Sequence, residues 1–380
     1  MEVREMIEQF KQWEENRHDY AKDWKKKNGG KVMGYFCTYV PEEILYAAGV
    51  LPVRILGSHE PQDVTEPHIF AMFCPFCRDC LAQGLKGRYK YLDGLMIAQS
   101  CLHIRQAYTS WIKHRPVEFE KFLCMPHKVQ SPHAYEFLTE EYKVFVKEVE
   151  KWTGKKITDK ALNEAIEVYN ENRRLMKKLY ELRKSDNPPL TGEEVMEVVI
   201  AMQMTDKAEH NKELKKLLTK LEKHTSDRDV GSRLMILGSE DDDRVFINMV
   251  ENSGATFVVD DHCTGSRYFW NEVENNGKDL LASIAARYID RIPCPTKDWE
   301  KRKRIPHILN MCKDWKVDGV IIMQQKFCDP HELDFVPIKK ALEDADIPTL
   351  FLEFDVTVPI GQFKIRVEAF LEMIGDEDLF

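Results

Sequence analysis

The chain opens with Ile7, Phe10, Trp13 and Tyr20 set among charged residues, the spacing of an amphipathic helix. Lys25-Lys26-Lys27-Asn28-Gly29-Gly30 then stops it, because basic residues followed by Asn and Gly end helices. From Val32 to Cys37 the positions turn continuously apolar and aromatic, and Pro41-Glu42-Glu43 opens a run carrying Ile44, Leu45, Ala47 and Ala48, so strand, loop and helix follow in order. Leu51 to Leu56 predicts a second strand, Cys77 to Leu85 a helix and Gly94 to Ala98 a third strand. Strands alternating with helices imply a parallel sheet. Between Phe137 and Lys223 the pattern is helical throughout, with Leu162, Ile166, Tyr169 and Leu175 in register, Thr158, Asp159 and Thr191 as caps, and Pro188-Pro189 as a break. A second α/β unit begins at Arg233: Leu234 to Leu237 reads as a strand, Gly238-Ser239 as a turn, and Val245, Ile247 and Val250 as one face of a helix. Ala255 to Val259, Gly319 to Met323 and Leu350 to Phe354 add strands, with a helix over Leu333 to Asp344 between the last two. The expected fold is therefore α/β, with two Rossmann-like (flavodoxin-like) parallel-sheet domains plus a helical segment. Its parts are an N-terminal helix (1–30), a first α/β domain (31–136), the helical segment (137–228) and a second α/β domain (229–380).

Composition narrows the class. The 380 residues are 43% hydrophobic, enough for more than one core. The longest apolar runs, such as Val320 to Met323, fall far short of the roughly 20 residues that span a bilayer, so no membrane segment is expected. The charged N-terminus, Met1-Glu2-Val3-Arg4-Glu5-Met6, has no signal-peptide character, and a cytoplasmic location follows. In that reducing compartment the ten cysteines are read as metal ligands, catalytic thiols or plain core residues rather than disulfides. Cys124, Cys294 and Cys312 are assigned to the last group. A net charge of −9 argues against a nucleic-acid partner.

Candidate chemistry gathers on thiols. Cys74, Cys101 and Cys328, in Phe73-Cys74-Pro75, Gln99-Ser100-Cys101-Leu102-His103 and Lys326-Phe327-Cys328-Asp329-Pro330, each follow a hydrophobic stretch where a strand gives way to a turn or helix. Loops at strand ends are where α/β proteins keep their chemistry, and the pattern reads as a metal-cluster site. Cys74, Cys77 and Cys80 have the Cys-x-x-Cys-x-x-Cys spacing of iron-sulfur and zinc sites, but the ferredoxin pattern needs a fourth cysteine close behind, and the next is Cys101. No Walker A sequence is present, so ATP chemistry would come from a partner. Gly238-Ser239 is read as an ordinary turn before a helix. Asp260-Asp261-His262-Cys263-Thr264-Gly265-Ser266-Arg267-Tyr268 can bind a ligand, with Arg267 holding a phosphate or carboxylate, or else pairing with Asp260. His103 can donate a proton beside a metal centre or serve as a hydrogen-bonded buried histidine. Lys177-Lys178 and Lys215-Lys216 are read as solvated faces.

Taken together, Gly34-Tyr35-Phe36-Cys37-Thr38-Tyr39-Val40-Pro41-Glu42-Glu43, Phe73-Cys74-Pro75, Asp260 to Trp270 and Lys326 to Pro330 resemble the 2-hydroxyacyl-CoA dehydratase and benzoyl-CoA reductase family, over nearly the whole chain. Within it, Gly57 to Pro67 and Ser100 to Gln106 look most like the C subunit of ATP-dependent benzoyl-CoA reductase, with the dehydratase small (beta) subunit as runner-up. The resemblance implies a 4Fe-4S cluster held by Cys74, Cys101 and Cys328, with Cys77 or Cys80 able to supply a fourth thiolate and Cys37 and Cys263 in the surroundings. It also implies an oxidoreductase subunit that dearomatises an aromatic acyl-CoA to a cyclic dienoyl-CoA, with His103 the first proton donor to test. The implied partners are a homologous cluster- and substrate-binding subunit, ATP-hydrolysing electron-activator subunits and an upstream ferredoxin. A dehydratase subunit and a non-catalytic electron relay are the alternatives.

Overall fold

The computed structural model describes residues 2–375 apart from 62, 223, 225–227, 276 and 278. The expected end of the helical segment at Lys223 and the tail 376–380 lie outside the described residues. Two four-stranded sheets form the frame. The first contains β1 (Lys31–Phe36), β2 (Val50–Arg54), β3 (Gly94–Ala98) and β4 (Phe119–Leu123), in the order β2-β1-β3-β4. The second contains β5 (Ser232–Gly238), β6 (Ala255–Asp261), β7 (Gly319–Gln325) and β8 (Thr349–Phe354), in the order β6-β5-β7-β8. Every pairing is parallel, so both sheets share one topology, and the α/β class with two Rossmann-like sheets is what the chain adopts. In such sheets the strand order reverses beside the first strand, here between β1 and β3 and between β5 and β7, and ligands sit beyond the carboxyl ends at that point.

The inner strands are covered on both faces, which is why they read as unbroken apolar runs. β4 does not. Its Phe119-Glu120-Lys121-Phe122-Leu123 is a half-covered edge, and charged residues at an edge hide the strand from a hydrophobicity reading while blocking unwanted pairing.

Helices are shared between the sheets in an order the chain does not announce. The expected N-terminal helix is two, Val3–Glu15 and Arg17–Asn28, the second closed by Gly29 in the left-handed region (φ 60°). Ile7 and Phe10 of the first pack into the core of the second sheet with Val199 and Leu214, whereas Ala21 of the second packs with Val32 and Leu51 of the first sheet. Trp24 Nε1 donates to Asp206 at 3.2 Å, fastening this pair to the helical segment. That segment is itself divided. The helix Ala134–Thr153 and the start of Asp159–Glu181 cover the first sheet through Leu138, Phe145 and Ile166, while the later Met176 and Leu179, with the helices Gly192–Ala201 and Lys207–Leu221, cover the second. Conversely, Ile284 and Tyr288 of the helix Leu280–Asp290, which follows β6, pack on the first sheet. A helical period predicts an apolar face, not which sheet will cover it.

A polar seam joins the halves. Glu43, fully buried, pairs with Arg173 and accepts from Tyr288 Oη at 3.1 Å, while Arg291 Nη1 donates to the Thr38 carbonyl at 2.7 Å. Glu43 is thus the structural partner of a buried cation, and Glu42 accepts from the Tyr268 hydroxyl at 2.5 Å.

Candidate functional site

The carboxyl ends of both sheets turn toward this seam, and the three predicted cysteines stand there in equivalent positions. Cys74 caps the N-terminus of the helix Pro75–Leu85, Cys101 that of Leu102–His114, and Cys328 that of Asp329–Glu343. Pro75 and Pro330 suit the first helical turn, where no N–H partner is needed. Three helix N-termini aim their partial positive charge at three sulfurs, which favours thiolates.

The thiols meet. Cys74 is held well below the ordinary thiol range by hydrogen bonds from Cys328 and then Cys77. Cys101 is lowered by its hydrogen bond with Cys77, and its Sγ accepts from the Ile104 N–H at 3.5 Å. Cys77 is pushed up by burial, and Cys328 is raised by sharing its proton with Cys74. Cys74, Cys77 and Cys328, with Cys101 packed against them, therefore sit in one cluster drawn from both halves. Cys80 stands apart: it is fully buried, with Sγ 3.7 Å from the Ile55 carbonyl oxygen. Among the described residues no three His, Cys, Asp or Glu side chains are set to hold a single metal ion. A donor set made of thiols alone, spread over three helix ends, matches the ligands of an iron-sulfur cluster better than those of one hard cation.

Around the thiols the polar contacts are specific. The Cys74 N–H donates to His103 Nδ1 at 3.1 Å, so that ring nitrogen carries no proton and the neutral ring bears its hydrogen on Nε2. Nε2 lies 3.7 Å from Asp329 Oδ2, and the ring rests on Phe73 at a centroid distance of 4.6 Å. His103 is therefore tied to the Cys74 loop and turns its other nitrogen toward the exposed Asp329. Gln325, at the end of β7, accepts from the Phe76 N–H at 2.8 Å, lies 3.5 Å from Cys74 Sγ, and donates through Nε2 to Glu240 Oε2 at 2.9 Å. Burial, then Asp242, pushes the Glu240 carboxyl well above its usual range. A hollow of about 10 Å³ beside Gln325 and Pro75 shares Gly57, His59 and Asp242 with a cleft of about 820 Å³, where His59 pairs with Asp242 at 2.5 Å. The segments that carry the thiols also expose Phe70, Met72, Leu102, Phe327, Leu333 and Val336, interspersed with charged residues such as Asp329 and Glu332.

A second set of thiols lies along the same seam. Cys37 follows β1 directly, with a left-handed backbone (φ 71°). Burial, then Cys294, pushes its thiol up, and it is hydrogen-bonded with Ser100, the neighbour of Cys101. Cys263 follows β6, and Arg54 Nη2 donates to its Sγ at 3.3 Å. The Lys297 ammonium, which burial lowers to about 8, lies within electrostatic reach of Cys37, Cys294 and Cys101. Cys294, expected to be buried or inert, is half-buried and packs against the first sheet's core with Cys37, and Cys312 packs in the second sheet's core against Met235.

Other candidates take structural roles. Arg267, a proposed anion ligand, is 2% exposed; it pairs with Asp261 at 3.3 Å and donates to the carbonyls of Gly238 (2.6 Å) and Ser239 (3.0 Å). Its alternative partner, Asp260, instead accepts from Tyr180 and from the Ser266 N–H at 2.7 Å. Gly238 is required because a Cβ there would sit 2.2 Å from the Met323 carbonyl oxygen, so the turn serves close strand packing and offers carbonyls rather than N–H groups. Lys215 and Lys216 pair with Glu171 and Glu213 on the surface, as a solvated face should. The residues that composition did not single out are Gln325, Glu240, Lys297 and Arg54. Gln324-Gln325 closing an apolar strand, and Lys297 three residues after Cys294, were their only signals.

Fold and site define a class: paired parallel α/β sheets whose facing ends present cysteines from both halves to one seam. The 2-hydroxyglutaryl-CoA dehydratase D-component family model matches residues 37–374, and the chain belongs to that family. It is 28% identical to the (R)-phenyllactyl-CoA dehydratase beta subunit of Clostridium sporogenes over 369 residues, covering 96% of this chain and 97% of the relative. Identity to the C subunit of benzoyl-CoA reductase from Thauera aromatica is also 28%, over 356 residues and 92% of each chain. The beta subunit of (R)-2-hydroxyglutaryl-CoA dehydratase from Acidaminococcus fermentans is 27% identical over 359 residues, 92% of this chain and 94% of its own. No helix among the described residues is long and apolar enough to cross a membrane.

Proposed function

We propose that this chain is the iron-sulfur subunit of a multi-subunit, ATP-dependent reductase of the benzoyl-CoA type, with a 4Fe-4S cluster on Cys74, Cys101 and Cys328. The observation that carries the reading is the meeting of three helix-capping thiols, from residues 74 to 328, in one packed group in which Cys74 and Cys328 are buried and Cys101 is half-buried. When bound, such a cluster supplies low-potential electrons one at a time. The chain's own groups account for the rest. Three helix N-termini offset negative charge on the ligating sulfurs. Gln325 and the His103 ring fix the backbone and sulfur of Cys74, as outer-shell partners do at metal sites. His103, with hydrogen on the outward Nε2, is placed to deliver a proton to a substrate on the exposed side. The apolar rim of Phe70, Leu102, Phe327 and Leu333 suits a homologous subunit that seals the site from water and carries the aromatic acyl-CoA. ATP-hydrolysing activator subunits and a ferredoxin would deliver the electrons.

A second reading, the beta subunit of a 2-hydroxyacyl-CoA dehydratase, is favoured by the phenyllactyl relative, equal in identity and longer in coverage. Anaerobic assay of the complex purified with its partner subunits separates the two. Benzoyl-CoA consumption coupled to ATP hydrolysis supports the first, and loss of water from a 2-hydroxyacyl-CoA supports the second. Reducible iron with neither activity leaves an electron relay. Serine at Cys74, Cys101 or Cys328, one at a time, should lower the iron per chain; a variant that keeps it all removes that residue from the ligand set.

A further inference from the structure

We propose that a groove beside Phe70 and Lys113 holds the adenine nucleotide end of the acyl-CoA while the homologous subunit carries the acyl end; this rests on the CoA-ester reading above. The groove has a volume of about 550 Å³, the size of a small-molecule site, and lies between the segment 66–73 and the helix Leu102–His114. Gln106, Thr109, Ser110 and Lys113 line it at helical spacing, one stripe of a helix whose N-terminus is capped by Cys101. From Cys101 to Lys113 that helix rises about 18 Å, room for an extended pantetheine arm between a thioester at the thiols and a nucleotide at the far end.

Two features of the lining select that end of the molecule. Phe70 and Phe73 lie within 12° of parallel with ring centroids 6.4 Å apart, the outer end of the range for aromatic pairs, and Phe70 is 75% exposed, so a planar base can stack on its open face. Nitrogen bases crowd the same groove. The His68 and His114 rings meet at a centroid distance of 4.2 Å, His68 Nδ1 is enclosed without a hydrogen-bond partner among the described residues, and Lys113 has no acidic partner among them. Burial, then His68, Lys113 and Arg115, hold the His114 imidazole below its usual range, and a phosphate set among these groups would offset their repulsion. Glu66 is the one acid in the lining, and it is exposed. Ser110 Oγ donates to the His68 carbonyl at 3.2 Å, which ties the loop to the helix and keeps the groove formed. A protein partner would explain the open phenyl ring but not the crowded bases; a phosphorylated purine uses both.

The test is photolabelling of the complex purified with its partner subunits, using coenzyme A that carries an azido group on its adenine, together with turnover kinetics. Label is expected on residues 66–73 or 106–114 of this chain, competed by coenzyme A and not by pantetheine, which lacks the nucleotide. Lys113→Glu and Phe70→Ala, both at exposed side chains, should each raise KM about tenfold for whichever acyl-CoA the complex turns over and leave kcat unchanged. Label that is absent or confined to other residues or to the homologous subunit overturns the proposal, as do two variants with the natural KM. Thr109→Trp, which fills the groove, replaces any variant that does not fold by circular dichroism. The reading above fails separately: label in the groove with neither ring reduction nor water loss upholds the site and removes the enzymatic assignment, whereas an unlabelled groove in an active, iron-loaded complex removes this site alone.

Discussion

Arg304 ties together the two loops that carry Cys263 and Cys328, and its replacement by Met gives the sharpest prediction. Its guanidinium is fully buried, donating to Asp261 through Nε (3.1 Å) and Nη2 (2.6 Å) and to Asp334 through Nη1 (2.7 Å). Asp261 lies two residues before Cys263, and Asp334 lies on the helix capped by Cys328. Removing one partner of a buried pair leaves an uncompensated charge and costs about 3–5 kcal/mol. At about 2.1 cal/mol/K per residue, the 380-residue chain has an unfolding entropy of about 0.8 kcal/mol/K, so a loss of about 4 kcal/mol lowers Tm by about 5 °C. Burial alone would raise the Asp261 carboxyl, but Arg304 and then Arg267 outweigh it and hold it far below the carboxylate range. A depressed folded value contributes stability that is present above the unfolded value, about 3.9, and is lost as pH falls through the folded one. The deficit of Arg304→Met should therefore be flat from about pH 5 to 8 and shrink in stronger acid. Adding Asp261→Asn should recover part of it, because Arg267 keeps the Gly238 and Ser239 carbonyls and Asp334 keeps Arg302. Differential scanning calorimetry of the two single variants and the double variant measures this. A Tm drop under about 1 °C, or strictly additive losses, would refute the reasoning.

Further outcomes follow from the same contacts. Asp241, 1% exposed and raised to about 8 by burial and then Asp243, costs stability once ionised, so the natural protein should weaken as pH rises from about 4 to 8; Asp241→Asn should abolish that slope in urea titrations across the range. A Cβ on Gly84 would lie 2.6 Å from the Trp111 ring, between the helices capped by Cys74 and Cys101. Gly84→Ala should cost about 1–3 kcal/mol by overpacking and reduce iron retention, and Trp111→Leu should restore both; unchanged melting and iron would contradict the packing argument. His103→Gln preserves an acceptor for the Cys74 N–H but no titrating ring, so iron content should stay and turnover should fall with a changed pH profile. An unaltered profile would assign His103 to positioning alone.

What the sequence disclosed divides along a physical line. Signals carried by neighbours in the chain were legible: unbroken apolar runs for the inner strands, Cys before Pro at two helix starts, and Gly29 as a helix stop. Signals that need a distant partner were not. β4 is a strand because β3 lies beside it, and its own Glu120 and Lys121 speak for solvent. Glu43 looks like the charged first turn of a helix until Arg173, 130 residues later, is found against it. Arg267 looks like an anion ligand because its carbonyl partners, Gly238 and Ser239, lie at the end of another strand, and its pairing with Asp261, six residues earlier in the same motif, shows only in the fold. Cysteine is the hardest case, because a thiol is apolar enough to fill a core and nucleophilic enough to bind metal, and only its neighbours decide which. Cys312 meets Met235 and is a core residue, whereas Cys74, Cys77 and Cys328 meet one another. Burial by itself does not separate the two roles, since Cys80 is fully enclosed beside the Ile55 carbonyl; neighbouring thiols do, because a cluster takes several thiolates and a gap in a core takes one.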